Sequence, residues 1–157
     1  MNNKEHRRER IKELKIKSKI NCICKTWNQV INCIEVDSFI SIEDTIRISE
    51  EVYNKIDKLP NQEKINTDVE LNLDKVANLE EVFKIFFDEN AIVLHYEDRE
   101  CGAIKIKVED FFKYLDSIAE FCKFKEGYSD LVLVDENLKY GICVERYEYF
   151  NKLFVWY

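Results

Sequence analysis

Residues 130–157, DLVLVDENLKYGICVERYEYFNKLFVWY, alternate short apolar runs with turn residues and leave little choice of secondary structure. Leu131 to Val134 is a continuous apolar run rich in β-branched residues. Asp130 and Asp135 limit it to strand length, which suits a strand covered on both faces. Asp135-Glu136-Asn137 supplies turn chemistry, and Gly141 opens the next strand. Ile142 to Tyr147 follows, with Ile142 and Val144 on one face and Cys143, Glu145 and Tyr147 on the other. Glu148 to Asn151 is a polar connection. Leu153 to Tyr157 is the last strand, with Phe154 and Trp156 opposed to Leu153, Val155 and Tyr157. A final strand made of core residues ties that end of the chain down, so a tag or deletion there should be damaging.

Upstream, the spacing predicts helices first. Residues 1–10 read as a frayed start, and a helix runs to about residue 36. Ile16, Ile20, Ile23, Trp27, Val30 and Ile34 form a heptad seam, which packs within the chain or dimerises. Asp37-Ser38 breaks it. Phe39, Ile42, Ile46, Tyr53 and Ile56 continue helical spacing, with Ser41 and Asp44 as the N-terminal cap. A short strand at 39–42 is the other reading. Pro60 ends this helix by Leu59. Residues 60–74 are a polar connection in which Val69, Leu71 and Leu73 permit an edge strand. Asn78 with Glu81 resembles a capping box opening a helix to about Asp88.

Ala91 to Tyr96 and Ala103 to Val108 then form a hairpin around Glu97–Gly102, with Ile104, Ile106 and Val108 inward and Lys105 and Lys107 outward. A helix begins at Glu109-Asp110, with Phe111, Leu115, Ile118 and Cys122 as its buried stripe. The order gives an α+β fold: an N-terminal helical hairpin, then an α-β-β-α-β-β-β unit whose mainly antiparallel sheet is covered by helices. The 157 residues suit a single domain, with a helical part at 1–59 and an α+β part at 75–157.

Three glycines and one proline leave no phosphate-cradling loop or dinucleotide fingerprint, because Gly102, Gly127 and Gly141 are far apart. The net charge of −7 is uneven. Residues 1–20 carry eight basic and three acidic side chains, whereas residues 35–100 carry eighteen acidic and seven basic. An acidic body disfavours direct nucleic-acid binding and favours a cationic protein partner; simple solubility is the plainer reading. The polar start has no signal-peptide core, and no run reaches membrane-spanning length. The expectation is therefore a cytoplasmic protein with reduced thiols, no membrane contact and a monomeric state.

His95, Glu97, Asp98, Glu100 and Cys101 are the densest group of potential ligands. They suit a divalent metal or general acid–base work, or else a half-buried strand histidine beside a charged turn. Cys22, Cys24 and Cys33 lack the second pair that structural zinc requires, so they read as core cysteines and no metal or cofactor is expected. Cys101 or Cys143 paired with His95 would make a small hydrolase, with nothing local to support it. Glu13-Leu14-Lys15 is the only Glu-x-Lys and lies in the basic helix. The basic start, Lys4, Arg7, Arg8, Arg10, Lys12, Lys15, Lys17 and Lys19, could serve as a nucleic-acid-binding arm, but Glu5, Glu9 and Glu13 are expected to pair with those bases at helical spacing, so a solvated helix face is the plainer reading.

Tyr147, Tyr149, Phe150, Trp156 and Tyr157, with Glu145 and Glu148, form an aromatic and acidic group suited to an interface. The pattern Asp130-Leu-Val-Leu-Val-Asp135, then Tyr140-Gly141-Ile-Cys-Val, then aromatic strands, resembles small cytosolic immunity proteins of bacterial toxin systems over roughly residues 90–157. That resemblance implies a small, acidic, non-catalytic protein that binds a toxin domain, often a basic nuclease, and covers its active site. An anti-defence inhibitor occupying a nucleic-acid groove is a second form of the same expectation. The partner-binding residues are then Glu97, Asp98, Glu100, Asp135, Glu136, Glu145, Tyr147, Glu148, Tyr149 and Tyr157. The alternatives are an enzyme centred on His95 and the acidic turn 97–100, and a dimeric scaffold held by the N-terminal seam.

Overall fold

The computed structural model describes residues 2–60 and 62–157. Met1 and Asn61, which fall in the expected frayed start and in the 60–74 connection, lie outside the described residues. The fold is α+β, as the sequence pattern predicts. Six strands form one antiparallel sheet: β1 (Glu63–Ile65), β2 (Asn90–Leu94), β3 (Ile104–Lys107), β4 (Leu131–Val134), β5 (Gly141–Arg146) and β6 (Asn151–Trp156). Their order is β1-β6-β5-β4-β2-β3. The three C-terminal strands pair as expected, with Val132 opposite Cys143 and Cys143 opposite Phe154.

The described residues also form seven α-helices: α1 (Asn3–Trp27), α2 (Ile42–Ile56), α3 (Val69–Ala77), α4 (Glu80–Phe83), α5 (Asp98–Cys101), α6 (Val108–Lys113) and α7 (Leu115–Phe121). The sheet is buried on both sides. Ala91, Val93, Leu131, Leu133, Ile142 and Val144 face the larger core, which takes in Ile23 of α1, Val76 of α3, Phe83 of α4, Phe111 of α6 and Ile118 of α7. Ile92, Leu94, Val132, Val134, Cys143 and Phe154 face the other side, covered by Ile48, Val52 and Ile56 of α2. Alternating side chains on strands that are apolar throughout require two such covers. The two N-terminal helices are thus divided between the sheet faces.

Local detail departs from the sequence reading in several places. The first helix starts at Asn3, where the Glu5 carboxylate accepts from the Asn2 backbone N–H at 3.2 Å, and it stops at Trp27 rather than near residue 36. Beyond it the Ser38 hydroxyl donates to Cys33 O and accepts from Glu35 N, and such local bonds compete with helix. Ile31 and Ile34 are buried through this turn while Val30 is exposed, so the heptad seam ends early. The seam packs within the chain: Ile20, Ile23 and Trp27 join the larger core, and Trp27 meets Phe121 edge-on at 5.5 Å. Among the described residues, Glu5, Glu9 and Glu13 form no ion pairs with their basic neighbours.

Phe39 makes one bridge to Ile104 instead of a strand, and Ser41 caps α2 by accepting from Asp44 N at 3.0 Å. The alternating Val69, Leu71 and Leu73 lie on α3, because Asp68 accepts from Leu71 N at 3.1 Å and starts a helix there. The edge strand is β1 instead. Asn78 closes α3 rather than opening the next helix, since its N–H goes to Asp74 O at 3.0 Å. The helix expected from Glu109 is split at Tyr114, though its stripe of Phe111, Leu115, Ile118 and Cys122 is buried as read.

Candidate functional site

Strand register gathers chemistry at one end of the sheet. Leu94 pairs with Val132, Leu131 with Val144, and Arg146 with Asn151. The residues just beyond these pairs, His95, Asp130 and Tyr147, therefore share that end, together with Arg146. A cleft of about 370 Å³ opens there, lined by Tyr53, Tyr96, Tyr128, Ser129, Asp130 and Arg146 among others.

Asp130 organises the floor. One carboxylate oxygen accepts from the Tyr53 hydroxyl at 2.6 Å and the other from the Arg146 backbone N–H at 2.9 Å. Burial, and then the adjacent Asp130 charge, push the Tyr53 phenol far above its ordinary range, so it stays a hydrogen-bond donor. The Arg146 guanidinium lies over the Phe124 ring at 5.4 Å and donates to Phe124 O at 3.0 Å. Gly127, at φ +83°, leaves room for it: a Cβ there would come within 3.0 Å of Arg146 Nη2. Tyr96 and Tyr128 stand over the cleft in ring contact at 5.7 Å.

His95 borders the cleft but is spent on structure. It is only 4% exposed. Its Nε2 lies 2.9 Å from Gly102 O, an acceptor, so Nε2 carries the proton, and Nδ1 accepts from Glu97 N at 3.3 Å. Burial lowers its pKa to about 4. With both ring nitrogens held by the main chain, the histidine offers no free base to a substrate. Burial also pushes the neighbouring Cys101 thiol up to about 12. Among the described residues, no three His, Cys, Asp or Glu side chains converge as a metal site requires. No helix there is long and apolar enough to cross a membrane.

The model of one protein family, the YxiF protein, matches residues 23–156. The chain belongs to the YxiF family. No curated protein and no solved structure matches it. The YxiF match spans the whole sheet and every cleft residue, and leaves out the first 22 positions, which make up most of α1.

Within this YxiF fold the ten sequence-predicted contact residues fall at two opposite ends of the sheet. Asp98 and Glu100 lie on α5 and Glu97 just before it, at the cleft end, and Glu145, Tyr147, Glu148 and Tyr149 on or beside the β5–β6 turn at that same end. Asp135, Glu136 and Tyr157 lie at the far end, beside the β4–β5 turn and after β6.

Not all of them face solvent freely. Asp98 is buried and accepts from His95 N at 3.1 Å, and burial raises its carboxyl. Asp135 is buried and builds its turn by accepting from Asn137 N and Lys139 N. Glu97 and Glu100 hold Lys19 of α1, and Glu136 holds Lys105 at 3.0 Å. Glu145 accepts from the Tyr147 hydroxyl at 2.6 Å, and that bond raises the Tyr147 phenol to about 12. Tyr147 stacks on Phe150 at 5.0 Å, while Tyr149 is 82% exposed at the turn.

Sequence reasoning missed Tyr53, Tyr96, Tyr128, Asp130 and Arg146 as one constellation. Asp130 was visible as a residue bounding a strand, while Arg146 lay unmarked inside the expected strand Ile142 to Tyr147. The helical spacing marks Tyr53 only as a packing residue, whereas its hydroxyl reaches the site from α2.

Proposed function

We propose that this chain is a non-catalytic, acidic protein-binding inhibitor, of the immunity or anti-defence kind, that covers a cationic, nucleic-acid-acting partner enzyme in the cytoplasm. The observation that carries this reading is the clustering of exposed tyrosines. Tyr96, Tyr128, Tyr147 and Tyr149 all stand exposed at the same end of the sheet, and Tyr96 and Tyr128 line the cleft there. Tyrosine supplies large, stiff, amphipathic contact area at low entropy cost, and is enriched where proteins bind proteins. Its setting is rigid, since Asp130 ties α2, β4 and β5 together beneath it. Glu145 and Glu148 add negative charge beside the aromatics, which suits electrostatic steering of a basic surface. The six cysteines stand as free thiols, in keeping with a reducing compartment.

The test is affinity capture from native lysate with the bait tagged ahead of α1, followed by binding and activity assays on the captured protein. One stoichiometric basic partner, inhibited on binding and released at high salt, is expected. Tyr128→Ala and Tyr149→Ala together should then weaken the complex by about tenfold or more. Glu145→Lys with Glu148→Lys should slow association. A partner whose affinity ignores both variant pairs, or no stoichiometric partner at all, would remove this reading.

A further inference from the structure

The first half of α1 leaves the body of the protein. Every residue from Asn2 to Lys15 is exposed, a length of roughly 20 Å at the helical rise. Lys19, held by Glu97 and Glu100, fixes the point of departure beside the cleft end of the sheet.

The arm's charges are sorted by face. On a wheel of about 100° per residue, Glu5, Glu9 and Glu13 occupy a strip roughly 80° wide. That strip continues the line of Ile20, Ile23 and Trp27, which packs on the body further along. Lys4, Arg7, Arg8, Arg10, Lys12, Lys15 and Lys17 spread over the remaining arc, about 220° of it, with no acid among them. Among the described residues none of these seven has a carboxylate within 4.0 Å. Ile11 and Leu14 lie exposed in the middle of the basic arc.

We propose that this arm is a binding element for double-stranded DNA, lying in the major groove and holding phosphates on both walls. The width of the basic arc selects the partner. A flat acidic protein surface would meet only one side of the helix and leave the remaining bases unused. An anionic membrane would need a broad apolar face opposite the charges, and the arm offers two apolar side chains, both among its bases. A major groove about 12 Å wide admits one α-helix and flanks it with phosphates on either side, so bases spread round a wide arc all find anions. The glutamate strip then points out of the groove. Ile11 and Leu14 face its floor, where apolar contact with thymine methyls is available. A-form RNA has a major groove too narrow for a helix. Binding is sequence-tolerant, because the contacts are to phosphate. This inference does not rest on the inhibitor reading: the arm is a different surface, outside the family match.

The test is fluorescence anisotropy of a labelled, mixed-sequence duplex titrated with the full chain. Binding at low salt is expected. It should weaken several-hundred-fold between about 50 and 200 mM salt if about five phosphates are engaged. The variant Arg7→Gln, Arg10→Gln, Lys15→Gln, Lys17→Gln keeps good helix formers and touches only exposed or arm positions. It should lose at least about tenfold in affinity with its thermal unfolding unchanged. Replacing Glu5, Glu9 and Glu13 with Gln should not weaken binding. No binding at low salt, equal binding by the four-base variant, tighter binding of single-stranded RNA, or displacement by anionic phosphatidylglycerol vesicles would each overturn the proposal.

Discussion

His95 shows how little a residue type says about its role. The sequence places a histidine beside three acids and a cysteine, a combination that suits catalysis or metal. In the fold its partners are main-chain groups of Gly102 and Glu97, which no side-chain pattern can announce. Its ionisation makes a testable statement about stability. The folded chain holds the imidazole at about 4, against an ordinary 6.5, because it is buried. As pH falls below about 6.5 the unfolded chain takes up the proton first. Stability contributed by the neutral ring is therefore full above that pH and is lost as pH drops toward 4. The span corresponds to about 3 kcal/mol. Asp98, raised by burial, acts in the opposite sense, so the histidine is read from the slope of urea-unfolding stability between about pH 5 and 7 compared with that of a His95 variant. His95→Gln should flatten that slope; an unchanged slope would assign it elsewhere. Gly102 is the second residue with a sharp expectation. At φ +93° a Cβ would lie 1.9 Å from Ile40 O, so Gly102→Ala should cost several kcal/mol in the same assay.

Among elements, the C-terminal strands were the most legible. Leu131–Val134 is apolar at every position, and only a strand buried on both faces accommodates that. The neighbouring β5 and β6 follow their alternation to within a residue or two of the expected bounds. The segment after Pro60 was the least legible, because period two fits Val69, Leu71 and Leu73, while period 3.6 fits Val69, Leu73 and Val76 and leaves Leu71 outside. What decides is Asp68, whose side chain satisfies a helical N–H that a strand would not present. Asp68→Ala should accordingly lower stability by about 1 kcal/mol. Leu71→Ala should change it by less than about 0.5 kcal/mol, since Leu71 faces solvent. The reverse ranking would restore a strand. The split of α6 from α7 at Tyr114 left no trace in the apolar stripe, which runs through it unbroken.

For the whole molecule, the sequence conveyed an antiparallel sheet covered by helices but not which helix covers which face. That assignment depends on contacts between distant positions. The Tyr53–Asp130 hydrogen bond joins residues 77 apart, and it both seats α2 on its face and creates the cleft. At the cleft end only local groups were legible: Glu97, Asp98 and Glu100, and the run of Glu145, Tyr147, Glu148 and Tyr149. The α1 arm lies outside both cores, so deleting residues 2–15 should leave the thermal unfolding midpoint unchanged while reducing helical circular dichroism. A large fall in the midpoint would show that the arm supports the body.

Most strand pairings close short loops, but Glu63 meets Leu153 across about 90 residues of chain. Closing so long a loop is entropically costly, and β1 offers three residues with only Ile65 buried. In kinetic terms β1 is then the last strand to dock and the first to open, and amide exchange at 63–65 should far outpace that of β2 and β4. Each opening bares the outer edge of β6, an aromatic strand with unpaired main-chain groups. The molecule's aggregation hazard therefore sits at a three-residue latch, on the border of the sheet rather than in either core.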